Sequence, residues 1–192
     1  GAINFVKVLR EDEEQFPVFL KTGGASVSVR VMDGTNPLSG ATVSLYNQNN
    51  ELVDSQDTYF AGEVSFSNLD ANSTYYATAS MSTFLPARQA VVPARDKSAT
   101  LLLQRANEGN SAIVEIFAAE NKTPVNNANL DFLEIVDGKQ FPLGIPQQKT
   151  DLSGKFSINL PDGKEVLVKA ATAELEGENS LKVAEGGSPQ LL

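Results

Sequence analysis

Apolar and polar residues alternate along this chain in one short stretch after another. ASVSVRVMD at 25–33 sets Val27, Val29 and Val31 against Ser28 and Arg30, the two-residue period of a strand with one buried face. ATVSLYN follows with Ala41, Val43 and Leu45 in phase. AGEVSFSNL comes next with Val64 and Phe66, then a run led by Tyr75, Ala77 and Ala79, then FLPARQAVVP and SATLLLQ. Polar segments such as DGTNPLSG separate the runs, with a proline fixing φ before the next strand. The pattern then returns. At a spacing of 87 residues Pro37 falls on Pro124, Ala41 on Ala128, Val43 on Leu130 and Leu45 on Phe132. The same spacing sets Val27, Val29 and Val31 on Val114, Ile116 and Ala118. Further on, Gly62 matches Gly154, Val64 matches Phe156, Phe66 matches Ile158, and the Tyr75 strand answers Val166, Val168 and Ala170. At a spacing of 90, Ser98 meets Ser188 and Leu101 meets Leu191, inside the last strand of the second copy.

About seven short strands per copy, parted by Gly, Pro, Asn and Asp turns, are the sequence form of a β-sandwich. The expected fold is all-β: two tandem antiparallel Ig-like or transthyretin-like sandwiches. Residues 25–104 form the first, 105–110 (RANEGN) a short polar linker and 111–192 the second. A linker this short predicts a semi-rigid pair stacked end to end. Residues 1–24 are an N-terminal extension. Within them INFVKVLREDEEQFPVFL has alternating ends around an acidic middle, which reads as an extra hairpin or a strand from a neighbouring module, with a short helix as the alternative.

Composition removes chemistry more than it supplies it. The 192 residues include no Cys and no His. Disulfides, thiolate nucleophiles, zinc–thiolate sites and His-based general-base mechanisms are therefore excluded. A formal charge of −9 argues against nucleic acid and against an anionic membrane surface, and no apolar run is long enough to cross a bilayer.

The stretch VSVRVMDGTNPLSGATVSLYN, with GEVSFSNLDANSTYYATAS and FLPARQAVV, resembles the carboxypeptidase regulatory-like, transthyretin-like sandwich. The family pattern runs from a Pro-Leu-x-Gly-Ala turn through a Gly-x-Phe-x-Phe strand to a tyrosine-led strand. The likeness covers 25–104 well and 111–192 more loosely, because Asn126 and Asn127 replace the Ser-Gly of the turn and Val166 stands where the tyrosine would be. The B-type repeats of Gram-positive surface adhesins are similar by the same pattern. The resemblance implies spacer or adhesive modules of an extracytoplasmic bacterial protein, at the cell surface, in the periplasm or secreted. The internal Lys–Asn crosslink of such adhesins is not expected, since neither SVSVRV nor AIVEIF carries a lysine and SATLLLQ has no asparagine.

The leading functional expectation is a non-catalytic structural or adhesive segment with no cofactor and no metal, contacting protein or carbohydrate at the cell envelope. The alternative is a carbohydrate- or peptide-binding accessory module of a larger surface protein or enzyme. Tyr75 belongs by phase to the core, and Glu11–Glu14 read as a solvated turn rather than a calcium loop. The candidate binding site is Tyr59, assisted by Asp57. In DSQDTYFAG, Tyr59 and Phe60 are adjacent and point opposite ways in extended chain, so the expected arrangement has Phe60 capping the core and Tyr59 on the surface.

Overall fold

The computed structural model describes residues 24–107, 111–182 and 190–191. The hairpin reading of 3–20 and the acidic turn at 11–14 lie outside the described residues. Eight strands follow in the first half: β1 (Ala25–Asp33), β2 (Asn36–Pro37), β3 (Thr42–Asn47), β4 (Leu52–Asp57), β5 (Glu63–Leu69), β6 (Tyr75–Ser80), β7 (Ala87–Val91) and β8 (Ser98–Leu102). The second half holds β9 (Ser111–Glu115), β10 (Asn129–Val136), β11 (Lys139–Pro142), β12 (Gln148–Lys149), β13 (Lys155–Asn159), β14 (Glu165–Ala171), β15 (Glu176–Lys182) and β16 (Gln190–Leu191). Every described element is a strand, as the alternation predicts.

In the first sandwich β1 is paired on both edges, antiparallel to β5 and parallel to β8, while β4, β3, β6 and β7 form the facing antiparallel sheet in that order. The parallel β1–β8 pair departs from the all-antiparallel expectation. Val27, Val29 and Val31 from β1, Val43 and Leu45 from β3, Phe66 from β5 and Leu101 from β8 meet in one buried cluster. Burying such side chains stabilises by about 1.5–3 kcal/mol each. The second half repeats the scheme with Ala112 and Val114, Leu130 and Phe132, Ile158 and Val166 in a separate cluster. Phe156, expected inside, lies at the margin of that cluster and is only partly buried, its ring 6.0 Å from that of Phe132.

The turn before β5 is copied before β13 nearly atom for atom. Gly62 (φ +68°) would place a Cβ 2.6 Å from the Val31 carbonyl oxygen and 3.0 Å from the Leu38 nitrogen; Gly154 (φ +73°) would meet Ile116 and Val125 at 2.7 and 3.0 Å. Only glycine tolerates both the left-handed backbone and the approach. This match also corrects the register of the repeat. Val31 corresponds to Ile116 and, through their partners Val64 and Phe156, Val29 corresponds to Val114. The spacing on β9 is thus 85, two fewer than the 87 that holds from Pro37 and Pro124 onward. The two additional residues fall in the turn after Phe117, and a two-residue slip leaves the same face inward.

Two further differences separate the halves. The spacing grows from 87 at Ala41 and Ala128 to 92 at Thr58 and Thr150, which lengthens the β10–β11 hairpin and the loop behind it by five residues. The last strand also changes partner. β8 lies beside β1, whereas β16 pairs with β15, Leu181 opposite Leu191. At the 90-residue spacing Pro189 stands where Ala99 stands. In the β1–β8 ladder the Ser28 N–H bonds the Lys97 carbonyl and the Leu103 N–H bonds the Met32 carbonyl. Residues 99, 101 and 103 therefore turn their N–H groups to β1, and a proline in the first of these places has none to give.

Candidate functional site

The turn that carries Tyr59 is built on a buried threonine. The Thr58 hydroxyl donates to the Leu38 carbonyl (2.6 Å) and accepts the Ala41 N–H (3.0 Å), while the Gly62 N–H closes onto the Tyr59 carbonyl (2.7 Å). With both ends tied, Tyr59 and Phe60 have no path to the core. Tyr59 is 76% and Phe60 95% exposed. The expectation that Phe60 caps the core is thereby corrected: the chain turns at this point instead of running extended, so both rings leave the sandwich. Asp57 ends β4 and accepts a hydrogen bond from Thr42 across the ladder (2.8 Å).

The equivalent turn has the same skeleton and different chemistry. Thr150 donates to Val125 (2.7 Å) and accepts from Ala128 (3.0 Å). Asp151 takes the place of Tyr59, and its carboxylate accepts the Lys155 N–H (2.9 Å) together with the N–H and hydroxyl of Ser153 (both 2.8 Å). Those bonds, the one from Lys155 foremost, hold the Asp151 carboxyl below the ordinary carboxylate range. Leu152 beside it is 90% exposed.

A second constellation lies where the halves meet. Tyr76, Thr78 and Ser80 alternate with the core residues of β6 and so project from the outer face of its sheet, yet Thr78 and Ser80 are buried. The lengthened β10–β11 segment covers them. Ser80 donates to the Gly144 carbonyl (2.8 Å), Asn50 donates to the Gln140 carbonyl (2.6 Å), and Phe141 meets Tyr76 edge-on at 5.3 Å. The Arg88 guanidinium stands 3.9 Å from the Phe141 ring centre and 5.5 Å from that of Tyr76, a cation–π arrangement. The buried Glu134 carboxylate lies 3.5 Å from Arg88 and 2.6 Å from Lys164. The expected end-to-end stack is corrected accordingly, since the second half lays its hairpin along the outer face of the first. One sequence signal foretells this contact: YYATAS carries no charge on either face, the composition of a strand buried on both sides.

The third feature is a groove. Beside β9, opposite its partner β13, an 840 Å³ cavity opens between Ile113–Phe117 on one wall and Leu175–Leu181 on the other, floored by Ala128, Val168 and Ala170. Its place in the first sandwich is taken by β8.

These features define a sandwich protein with surfaces for contact, and known proteins resemble it in part. Residues 26–104 match the model of the carboxypeptidase regulatory-like domain. Among solved structures, the chain is similar to the Bacillus anthracis TIE protein (16% identity, TM-score 0.37, 96% of this chain and 37% of that one). It is also similar to a shaft pilin from Lactobacillus rhamnosus GG (10% identity, TM-score 0.36, 87% and 96%). A third similar structure is a DUF3823 family protein from Parabacteroides merdae (12% identity, TM-score 0.36, 77% and 90%). The chain spans little more than a third of the Bacillus anthracis structure. A search of the curated proteins finds no match.

Proposed function

We propose that this chain is a non-catalytic structural segment of an extracytoplasmic bacterial protein, in which two interlocked sandwiches hold a fixed geometry and present contact surfaces. The interface carries this reading. A hinge between independent modules needs a polar, sparsely bonded contact, whereas here Arg88, Tyr76, Phe141, Glu134 and Lys164 form one bonded cluster flanked by the Ser80–Gly144 and Asn50–Gln140 hydrogen bonds. The match of residues 26–104 to the carboxypeptidase regulatory-like domain supports it by analogy. Labelling intact producing cells with a membrane-impermeant amine reagent tests the location. Modification of the chain's lysines before lysis is the expected result, and modification only after lysis would contradict the reading.

A binding reading rests on a separate observation, the paired exposure of Tyr59 and Phe60. Rigid aromatic surface loses little entropy on contact with a sugar or a peptide. Glycan-array and peptide profiles of the wild type and of Tyr59→Ala are expected to differ; identical profiles would remove this site.

A further inference from the structure

We propose that a cleft between the two halves binds a small uncharged saccharide, at a place where a closure made in the first sandwich is undone in the second. Neither Tyr59 nor Phe60 lines it, and it rests on the interlocked reading, since each half supplies one wall. In the first sandwich the two sheets end at β4 and β5, and Gln56 joins them. Its side-chain amide donates to the outward carbonyl of Ser65 (3.1 Å) and to the Asp54 carboxylate (2.9 Å). The second sandwich carries the same two residues in the same places. At the 92-residue spacing Gln56 becomes Gln148 and Ser65 becomes Ser157, and Gln148 lies opposite Leu130 as Gln56 lies opposite Val43. Pro146 replaces Asp54, however, and the Gln148 amide donates to the Pro146 carbonyl instead (2.7 Å). Ser157 stands in a pair whose N–H and C=O groups point away from β9, and among the described residues no side chain takes its carbonyl. The gap is a cleft of about 310 Å³. Pro146, Gln148 and residues 156–159 form one wall, and the first sandwich forms the other with Thr42, Ser80 and the turn 81–84.

The lining selects the class of ligand. Charged residues make up 20% of the chain, yet no acidic or basic residue lines the cleft. An anionic sugar or a phosphate would find no cation there, and an ammonium group no carboxylate; burying either charge unpaired is costly. The walls offer hydroxyls and amides instead, groups that both give and accept hydrogen bonds. The side chains of Ser82, Thr83, Ser157 and Asn159 have no hydrogen-bond partner among the described residues. Between them lie Met81, Pro146 and the partly buried ring of Phe156. A sugar matches this mixture, because its hydroxyls are donor and acceptor at once and the C–H faces of its ring are apolar. The volume is at the small end of ligand sites, which suits a mono- or disaccharide. A peptide laid along β13 as a strand needs an open flank of at least about three residues, whereas the first sandwich stands across this one. Thr83, on the far wall, is left-handed (φ +69°), an outlier for a β-branched residue. Its carbonyl accepts the Ala106 N–H (2.9 Å) and Phe84 beside it is buried, so the strained backbone is held against the cleft. Strain of this kind collects at ligand clamps.

The test is a titration of the isotope-labelled full-length chain with glucose, galactose, mannose, N-acetylglucosamine, maltose and cellobiose, followed by its amide resonances. Glucuronic acid, glucosamine and a neutral tetrapeptide of Ser, Thr and Gly serve as comparisons. At least one uncharged sugar is expected to shift the Ser82, Thr83, Ser157 and Asn159 amides and the Gln148 side-chain amide saturably, with the charged sugars binding about tenfold more weakly or not at all. Gln148→Ala and Asn159→Ala are each expected to weaken that binding about tenfold, the loss of one hydrogen bond. Gln56→Ala, the equivalent change in the latched sandwich, is expected to leave it as it is. No saturable response to any uncharged sugar, a response confined to the Tyr59 turn, equal binding of the charged sugars, or tighter binding of the tetrapeptide would overturn the proposal. The nuclear Overhauser contact between the Tyr76 and Phe141 rings, read on the same sample, separates this proposal from the reading it rests on. If that contact is present without a sugar response, the halves are interlocked and the saccharide site alone is wrong; if it is absent, both are wrong.

Discussion

The two sandwiches of this chain share a skeleton and differ at the margins, and the margins are where contact surfaces arise. Both have a Pro-containing turn, a buried threonine bracing it, and a left-handed glycine under the strand before it. The first closes β1 on both edges with β5 and β8 and exposes an aromatic pair at its turn. Among the described residues the second leaves one edge of β9 without a partner strand, and it replaces the aromatic pair with a carboxylate-closed turn and spends five additional residues on a hairpin that grips its neighbour. A repeated fold thus keeps its core and diverges where an insertion or a lost pairing needs no repacking.

The strongest way to test this comparison is to truncate equivalent parts of the two cores. Phe66→Ala, in the closed sandwich, is expected to cost about 3–5 kcal/mol in denaturant unfolding, whereas Phe156→Ala, at the margin of the second cluster, is expected to cost clearly less. Equal losses would mean that the second core is as closed as the first. Next come the buried threonines. Thr58→Val and Thr150→Val each strand a carbonyl and an N–H, and each is expected to lose about 1–3 kcal/mol; similar values in the two would sharpen the shared skeleton, and a null effect in either would break it.

Comparable in size is the effect of crowding the interface. Gly144 is left-handed (φ +69°) and a Cβ there would run into the Thr78 side chain, so Gly144→Ala is expected to cost about 1–3 kcal/mol and to move the amide resonances of Thr78 and Ser80 while leaving those of Val43 and Leu45 in place. The smallest effect is a pH response confined to the second turn. Asp151 is held below its ordinary value of 3.8, so its stabilisation is present above that value and is lost as pH falls through the lowered one. The Ser153 and Lys155 amides are expected to titrate in that acid range, with no counterpart at Gly62 and none in Asp151→Asn.

Most of the fold is legible in the sequence because a half-buried strand writes its geometry as alternation: the inward phases of β1, β3, β5 and β6 are those of Val27, Val43, Phe66 and Ala77. Register was harder. The spacing of 87 is true at Pro124 and false at Ile116, since a shift of two leaves the apolar phase unchanged and sequence cannot register it. Tyr59 was legible as a surface ring, but Phe60 was misplaced because pairwise alternation assumes extended chain, and the Thr58 brace makes a turn. The Arg88 cluster is not legible in the sequence for another reason. Its partners come from distant strands, and only the uncharged outer face of YYATAS hints at a cover.

Amide hydrogen exchange followed residue by residue tests the central contrast most directly. In β1 the N–H groups of Ser28, Arg30 and Met32 face β8, while that of Val31 faces the β5 side, bonding Gly62. In β9 the Ile116 N–H bonds Gly154, which leaves those of Ile113, Glu115 and Phe117 toward the open edge. These three are expected to exchange quickly while Ser28, Arg30 and Met32 stay protected. If Ile113, Glu115 and Phe117 proved as slow as their β1 counterparts, the edge of β9 would be closed, and the contrast between the two sandwiches would be wrong.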